Sequence, residues 1–353
     1  MGTAARQVRL FLIRHGETVD NVAQVYAGSR DSELTNHGYQ QATRLGLHFS
    51  ARGLVFTHIF SSHLQRAAKT AGLIREAQIT PPVGDGSART VPDIVQLPVL
   101  MEQDFGFFEG KKWYERPPDS KLTGKEQHRE EHKDTAGFVD IESKESLAQR
   151  ADAFLDGHLL PLLDATTESA HRVVAVVSHG IMLSSLWKRL LLRLPPKSVA
   201  FSPGLSESVR NRPLEHLGGW SNTGYLELHL TRTEAVTASA ANKELQADPI
   251  VSSAPSSTTP AEVGSDSPPT ESLPSASTPL VDNPAVDGST QIAASSVQSS
   301  PARHASGWTT VIQTMNGRDH LKGLKRTGGG VGSAKHDASQ KNIDSFFKRR
   351  KIE

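Results

Sequence analysis

Two stretches of the chain place phosphate-handling residues directly after an apolar run. The first is Leu10 to Asn21, LFLIRHGETVDN. Here the run Val8 to Ile13 stops abruptly at Arg14-His15-Gly16-Glu17, with Thr18 and Asn21 beyond. Arginine offers a planar fork of donors to phosphate oxygens. A neutral imidazole is a nucleophile at neutral pH and can accept a phosphoryl group. Gly16 lets the backbone pass close to a bound group. In the second stretch the run Arg172 to Ser178 ends at His179-Gly180. A lone histidine after a strand is usually structural. A second one after a second buried strand, again with glycine beside it, points to a shared site.

These residues need elements to hold them. Val8 to Ile13 is bounded by polar and glycine signals and reads as a buried strand. The loop after it lies at the strand's carboxyl end, where open α/β sheets place their ligands. Thr35 reads as the N-cap of a helix carrying Ala42, Leu45, Leu47 and Phe49. Thr57 to Ser61 reads as a second buried strand. Residues 80–95, rich in Pro and Gly, read as a surface loop. Glu145 to Leu163 reads as a long amphipathic helix, with Leu147, Phe154, Leu155, Leu159 and Leu162 on one side. Arg172 to Ser178 is apolar on both faces, as in a parallel central strand, and a helix follows from Ile181 to Leu194. Residues 195–221 read as a connector, and Leu226 to Leu230 and Trp308 to Thr314 as two late strands. Residues 111–141 read as a charged, partly helical insertion over the site. Its Lys111, Lys112, Arg116, Lys121 and Lys125 could meet a second phosphate or form an ordinary solvated face.

The RHGE loop, with Thr18 next and Asn21 three residues further, resembles the N-terminal signature of the histidine phosphatase superfamily, in its phosphoglycerate mutase-like branch. Residues 61–71, SSHLQRAAKTA, are similar to that family's SSxLxRAxxTA, and VVSHG at 176–180 is similar to its second hallmark. The run LMEQDFGFFEG, the ESLAQR helix start and the triplet Asn222-Thr223-Gly224 also have counterparts there. The resemblance covers about 8–230, and 308–325 more weakly. It implies an α/β fold: a three-layer sandwich with a mostly parallel central sheet flanked by helices. It further implies that His15 attacks phosphorus in line, while Arg14, Arg66 and His179 hold the equatorial oxygens. Glu102 would protonate the departing alkoxide, with Asp104 and Glu109 close enough in sequence to compete. Thr18, Asn21, the Gly28 backbone and the Gly180 backbone would ring the phosphate. A carboxylic acid can donate at neutral pH only where burial or a neighbouring anion favours its protonated form. No metal or cofactor is expected, since the cations are side chains. The classical mutases carry an FTGW-type segment after the Asn, whereas this chain has VYAGSRDSELT, which favours a phosphatase over a mutase. Glu17 and Gly180 argue against the acid-phosphatase branch, which uses RHGxRxP and HD. NGRDHLKGLK, at 316–325, resembles the closing segment of the fructose-2,6-bisphosphatase-like regulators, so a sugar bisphosphate such as fructose 2,6-bisphosphate is the first substrate expectation.

Composition bounds the rest. Of 353 residues, 36% are hydrophobic and only 6% aromatic, low for a chain folded throughout. No aromatic residue occurs between Tyr225 and Trp308. Four segments are expected: a catalytic domain at 7–232, a disordered Ser/Pro/Thr/Ala-rich insertion at 233–306, a last strand and closing segment at 307–326, and a disordered tail at 327–353. The absence of cysteine excludes disulfides, thiolate metal sites and a cysteine nucleophile. A net charge of +1 gives no global pull toward nucleic acid or membrane, and neither is expected as a direct partner. No run approaches spanning length, and the first strand is too short for a signal peptide. In the tail, Gln340, Ile343, Phe346 and Phe347 resemble the interaction box of PCNA-type sliding clamps, and Lys348 to Lys351 form a basic cluster. A cytoplasmic or nuclear location is therefore expected. A rival reading is an interaction protein: an idle phosphatase fold carried to a clamp by its tail.

Overall fold

The computed structural model describes residues 6–79, 90–113, 124–164, 171–205, 207, 212–232 and 304–337. In chain order, β1 (Arg6–Arg14) leads to the short α1 (Val19–Ala23), α2 (Asn36–Ala51), β2 (His58–Ser62) and α3 (Gln65–Ile79). Next come β3 (Ile94–Leu97), α4 (Gly124–His132), α5 (Lys144–Phe154) and, after one wider turn at Leu155–Leu159, α6 (Leu160–Asp164). Then follow β4 (His171–Ser178), α7 (Gly180–Arg193), β5 (Val199–Phe201), β6 (Tyr225–Arg232) and β7 (Trp308–Gly317).

The seven strands form one sheet in the order β3-β2-β4-β1-β6-β7-β5. Only β6 runs against the others. Strand alternation in β1 sorts its apolar side chains into two cores. Val8, Leu10 and Leu12 pack with Phe154, Leu159, Met182 and Leu186 from α5, the wider turn and α7. Phe11 and Ile13 pack with Leu45, Phe49, Ala67 and Ile74 from α2 and α3. The architecture is therefore helix, sheet, helix, as expected. Each such side chain, fully buried, stabilises the fold by about 2 kcal/mol before entropy is counted.

Two strands fall where loop was expected, β3 within the Pro/Gly-rich stretch's end and β5 within the connector. Both are sheet edges, four and three residues long, and largely half-exposed or exposed. A short edge strand buries too little to impose a pattern. Residues 327–337 also differ from the expected disordered start of the tail. Asn36 N donates to Ala334 O, Thr35 and Lys335 form a β-bridge, and the His336 ring stacks on Tyr39 with centroids 3.7 Å apart. Polar contacts hold this segment, which explains why no apolar pattern announced it. Of the expected insertion, 233–303 lies outside the described residues; Ala305, just after it, is buried and donates its N–H to Arg193 O. The clamp-like Gln340, Ile343, Phe346 and Phe347 lie outside the described residues too. Among the described residues no helix is long and apolar enough to cross a membrane.

One charge is built into the sheet. Glu227 on β6 is 1% exposed and accepts from Arg9 at 2.6 Å, Arg52 at 2.7 Å and His229 at 3.0 Å. Burial alone would push its carboxyl up, but the hydrogen bonds from His229, Arg9 and Arg52 draw it down to about 2. A depressed carboxylate stabilises the fold above its unfolded value, and the gain is lost as pH falls toward the folded value. Glu227→Gln should therefore cost about 3 kcal/mol near pH 7. It should also flatten the loss of stability between pH 4.5 and about 2. Urea titrations at a series of pH values check both.

Candidate active site

Parallel pairing sets Arg14 opposite Ser178, so β1 and β4 end level. His15 N donates to Ser178 O at 3.0 Å, which seats the two loop histidines side by side. Beyond this point the chain leaves toward opposite faces of the sheet, through α2 after β1 and α7 after β4. Such a divergence opens a crevice at the carboxyl edge. The loop is clasped from both sides. Thr223 N donates to Arg14 O and His15 O, each at 3.1 Å, and Asn222 Nδ2 to His15 O at 3.2 Å. Gly16 N donates to Thr70 Oγ1 at 3.1 Å. A Cβ on Gly16 would lie 2.6 Å from Gly38 O, so only glycine fits there.

The hydrogen-bond partners fix the tautomers. His15 Nδ1 lies 2.7 Å from Gly16 O, and a carbonyl can only accept. The proton is therefore on Nδ1, and Nε2 carries a lone pair. His179 Nδ1 lies 3.1 Å from Arg66 Nε, which can only donate. His179 thus carries its proton on Nε2, and that buried N–H has no partner. The ring centroids are 5.1 Å apart. Burial first, and then the neighbouring Arg14 and Arg66, push His15 well below the usual histidine value. Burial, Arg66, His15 and Arg14 do the same to His179. Both rings are neutral at pH 7: one presents a lone pair, the other a donor.

Arg66, second residue of α3, is 1% exposed and acts as a scaffold. Besides His179 it holds the carbonyls of Ala27, Gly28 and Arg30 at 2.8–3.1 Å. Arg14 donates to Trp220 O at 2.6 Å, while its buried Nε–H has no partner. Burial lowers both guanidinium groups from the usual arginine value, so an anion between them would be welcome. Glu102 sits at the N-terminus of α7, accepting from Ile181 N at 3.1 Å, Met182 N at 2.9 Å and Gln103 N at 3.0 Å. Arg150 holds Glu102's own carbonyl at 3.2 Å and Met101's at 2.8 Å, and is itself held by Glu142.

The remaining expected residues divide. Arg14, His15, Arg66, Glu102, Thr18, Asn21 and Gly180 line one cavity of about 610 Å³. Thr18 caps α1 by a reciprocal pair of bonds with Asn21. Asn21 Oδ1 accepts from Thr18 N and Asn222 Nδ2, so the amide nitrogen is the group it can turn to a ligand. Gly28 does not provide the expected donor: its N–H goes to Glu109 at 3.0 Å, and it is absent from the cavity wall. Glu109 also accepts from Ser29 N and Phe105 N, and Asp104 from Gly106 N. Neither of these carboxylates lines the cavity, which leaves Glu102 as the described carboxylate facing it. Lys111 reaches over the Phe107 ring, 2.8 Å from its centroid, and Lys112 does not line the cavity. Arg116 and Lys121 lie outside the described residues, as does the side chain of Lys125. Unforeseen were the positioning roles of Thr70, Arg150 and Asn222, and the aromatic wall of Tyr26, Phe105, Trp113 and Trp220. The first three lie within stretches whose motif similarity was visible, as does Phe105; Tyr26, Trp113 and Trp220 had no such signal. Among the described residues no group of three or more His, Cys, Asp or Glu side chains could hold a metal ion.

A model of the histidine phosphatase superfamily, branch 1, matches residues 10–201. The chain is 34% identical over 189 residues to a Schizosaccharomyces pombe protein named a probable phosphatase, covering 52% of this chain and 56% of that one. It is 36% identical over 113 residues to a 2,3-bisphosphoglycerate-dependent phosphoglycerate mutase of Mesorhizobium japonicum, covering 30% and 50%. The chain spans about half the length of these curated relatives. The solved structure of a mycobacterial glucosyl-3-phosphoglycerate phosphatase aligns with 22% identity and a TM-score of 0.41, over 64% of this chain and 91% of that one.

The opposed tautomers are directly observable. Nitrogen-15 spectra of the imidazoles should place the His15 proton on Nδ1 and the His179 proton on Nε2 at pH 7. Both rings should stay neutral as pH falls through 6.5. A ring that gains a second proton near 6.5 would contradict the burial argument.

Proposed function

The chain belongs to the histidine phosphatase superfamily, and from that premise we propose that it hydrolyses phosphate monoesters through a phosphohistidine on His15. The observation that carries this reading is the pairing of a free lone pair on His15 Nε2 with unpartnered, buried donors on His179 Nε2 and Arg14 Nε. One is where a phosphorus would bond, and the others are where its oxygens would rest.

In the first half-reaction His15 Nε2 forms the P–N bond as the bond to the leaving oxygen breaks. Arg14 and His179 donate to the equatorial oxygens, offsetting charge that spreads over them. Glu102 in its protonated form gives its proton to the departing alkoxide. In the second half-reaction water attacks phosphorus, Glu102 takes the water's proton, and the P–N bond breaks to release inorganic phosphate. Arg66 acts through His179, holding its Nδ1 as an acceptor so that the ring's proton stands on Nε2. Asn21 and the Gly180 backbone are placed to orient the group.

The finer substrate expectation, a sugar bisphosphate, rests on the closing segment's resemblance alone. Asn316 and His320 of that segment are engaged with Ser221 and Thr223. Mutase-type phosphotransfer is the alternative; it requires the phosphoryl group to be returned to product, so interconversion of 2- and 3-phosphoglycerate without phosphate release would select it. A separate role is proposed for the tail: Gln340, Ile343, Phe346 and Phe347 would fill an apolar pocket of a sliding clamp from one helical turn. The support for it is the spacing and the exposed-type Phe pair in a polar stretch.

His15→Ala should cut phosphate release from p-nitrophenyl phosphate by at least ~10³-fold with an unchanged circular dichroism spectrum. Glu102→Gln should cost ~10²-fold or more with an alkyl phosphate and far less with p-nitrophenyl phosphate, whose leaving group needs little protonation. Equal losses on the two esters would remove Glu102 from the acid role. Phe346→Ala with Phe347→Ala should abolish clamp binding in a pull-down and leave turnover unchanged.

A further inference from the structure

The cavity is chemically lopsided. Apart from the Tyr26 phenol, its described ionisable side chains, Arg14, His15, Arg66 and Glu102, are the ones that surround the phosphate position. The rest of its wall includes Tyr26, Phe105, Trp113, Ile181 and Trp220. Polar capacity there is small. Ser184 Oγ donates to Gly180 O and accepts from Trp220 Nε1, so both hydroxyl and indole N–H are engaged within the protein. Among the described residues no further lysine or arginine lines the cavity for a second phosphate.

The aromatic side is held firmly. Tyr26 and Phe105 lie with ring centroids 4.7 Å apart. Trp113 N donates to Gln24 O and Tyr26 N to Lys111 O, which fastens the two loops together. Glu109 ties the backbone of Gly28 and Ser29 to that of Phe105. Trp113 remains 48% exposed, a large apolar side chain at the wall of an open cavity. Exposed aromatic surface of this kind marks a place that a ligand covers. A volume of about 610 Å³ accommodates a phosphate together with a group of one or two rings.

We propose that this site, on the phosphatase reading above, selects monoesters whose alcohol is flat and apolar, and that Trp113, with Tyr26, Phe105 and Trp220, is the selecting surface. A polyhydroxylated alcohol would surrender its water here to walls that return few hydrogen bonds, and so would bind less well. An aryl group instead gains contact with ring faces and edges.

The test compares benzyl phosphate, glycerol 1-phosphate and fructose 2,6-bisphosphate. The first two release primary alkoxides, so they differ chiefly in what the wall touches. kcat/KM for benzyl phosphate should exceed that for glycerol 1-phosphate by ~10-fold, with the bisphosphate no better than the glycerol ester. Trp113→Ala should reduce kcat/KM for benzyl phosphate ~5-fold, chiefly through KM, and reduce glycerol 1-phosphate by distinctly less. Trp113→Phe should restore most of the loss. Turnover of glycerol 1-phosphate or the bisphosphate equal to that of benzyl phosphate would overturn the proposal, as would an equal loss on both monoesters in Trp113→Ala; either leaves the phosphatase reading standing. Hydrolysis of none of the three, with p-nitrophenyl phosphate also untouched, would overturn that reading and this proposal with it.

Discussion

The parallel pairing of β1 with β4 is the constraint from which the site follows. Eight residue pairs in unbroken register end at Arg14 opposite Ser178. A shift of one residue would turn every side chain of β1 to the other face. Val8, Leu10 and Leu12 would leave the α5–α7 core, and Phe11 and Ile13 the α2–α3 core. The two apolar layers therefore lock the register, and the register delivers two histidines, distant in sequence, to adjacent positions. The placement of the two histidines is a by-product of hydrophobic patterning several residues away.

What burial does to the charges follows from the same placement. Closed away from water, imidazoles lose the tendency to protonate, and guanidinium groups become costly to keep charged. Within the site, two unpartnered N–H donors, on Arg14 and His179, are buried. Protein interiors rarely tolerate such groups without a purpose. Their cost is met by the rest of the fold, including the carboxylate of Glu227, whose partner Arg9 ties β6 to β1 and whose partner Arg52 ties it to the end of α2. The pocket is thus organised in advance for an anion rather than shaped by one.

The histidines and Arg66 were legible because each stands at a strand end or helix start within a longer run of matching residues. The sandwich was legible because its inner strands are apolar on both faces. Gly28 was placed correctly in sequence and wrongly in role: nothing local reveals that Glu109, eighty-one residues away, takes its N–H. The edge strands β3 and β5 were illegible because three or four half-exposed residues carry no period. The aromatic wall was hidden for another reason. Tyr26, Phe105, Trp113 and Trp220 come from loops, where hydrophobic spacing has no meaning until tertiary contacts gather them.

Glu17 shows how far the loop's support extends. It belongs to the RHGE run, yet its carboxylate is absent from the cavity wall. It accepts instead from Thr35 Oγ1 and forms a two-armed ion pair with Arg326. Its backbone N–H goes to Gln41, and its carbonyl accepts from Thr35 N. Arg326 in turn belongs to the polypeptide that continues to His336 on Tyr39 and to Lys335 on Glu33. The chain that follows the last strand thus braces the outer side of the loop whose inner side carries His15. A bidentate arginine–carboxylate pair restrains direction as well as distance, which is what His15 needs for the in-line attack proposed for it. The expected boundary at residue 326 therefore falls inside a structural strap: Arg326 contributes to the ordering of the histidine loop as directly as Thr223 does from the other side.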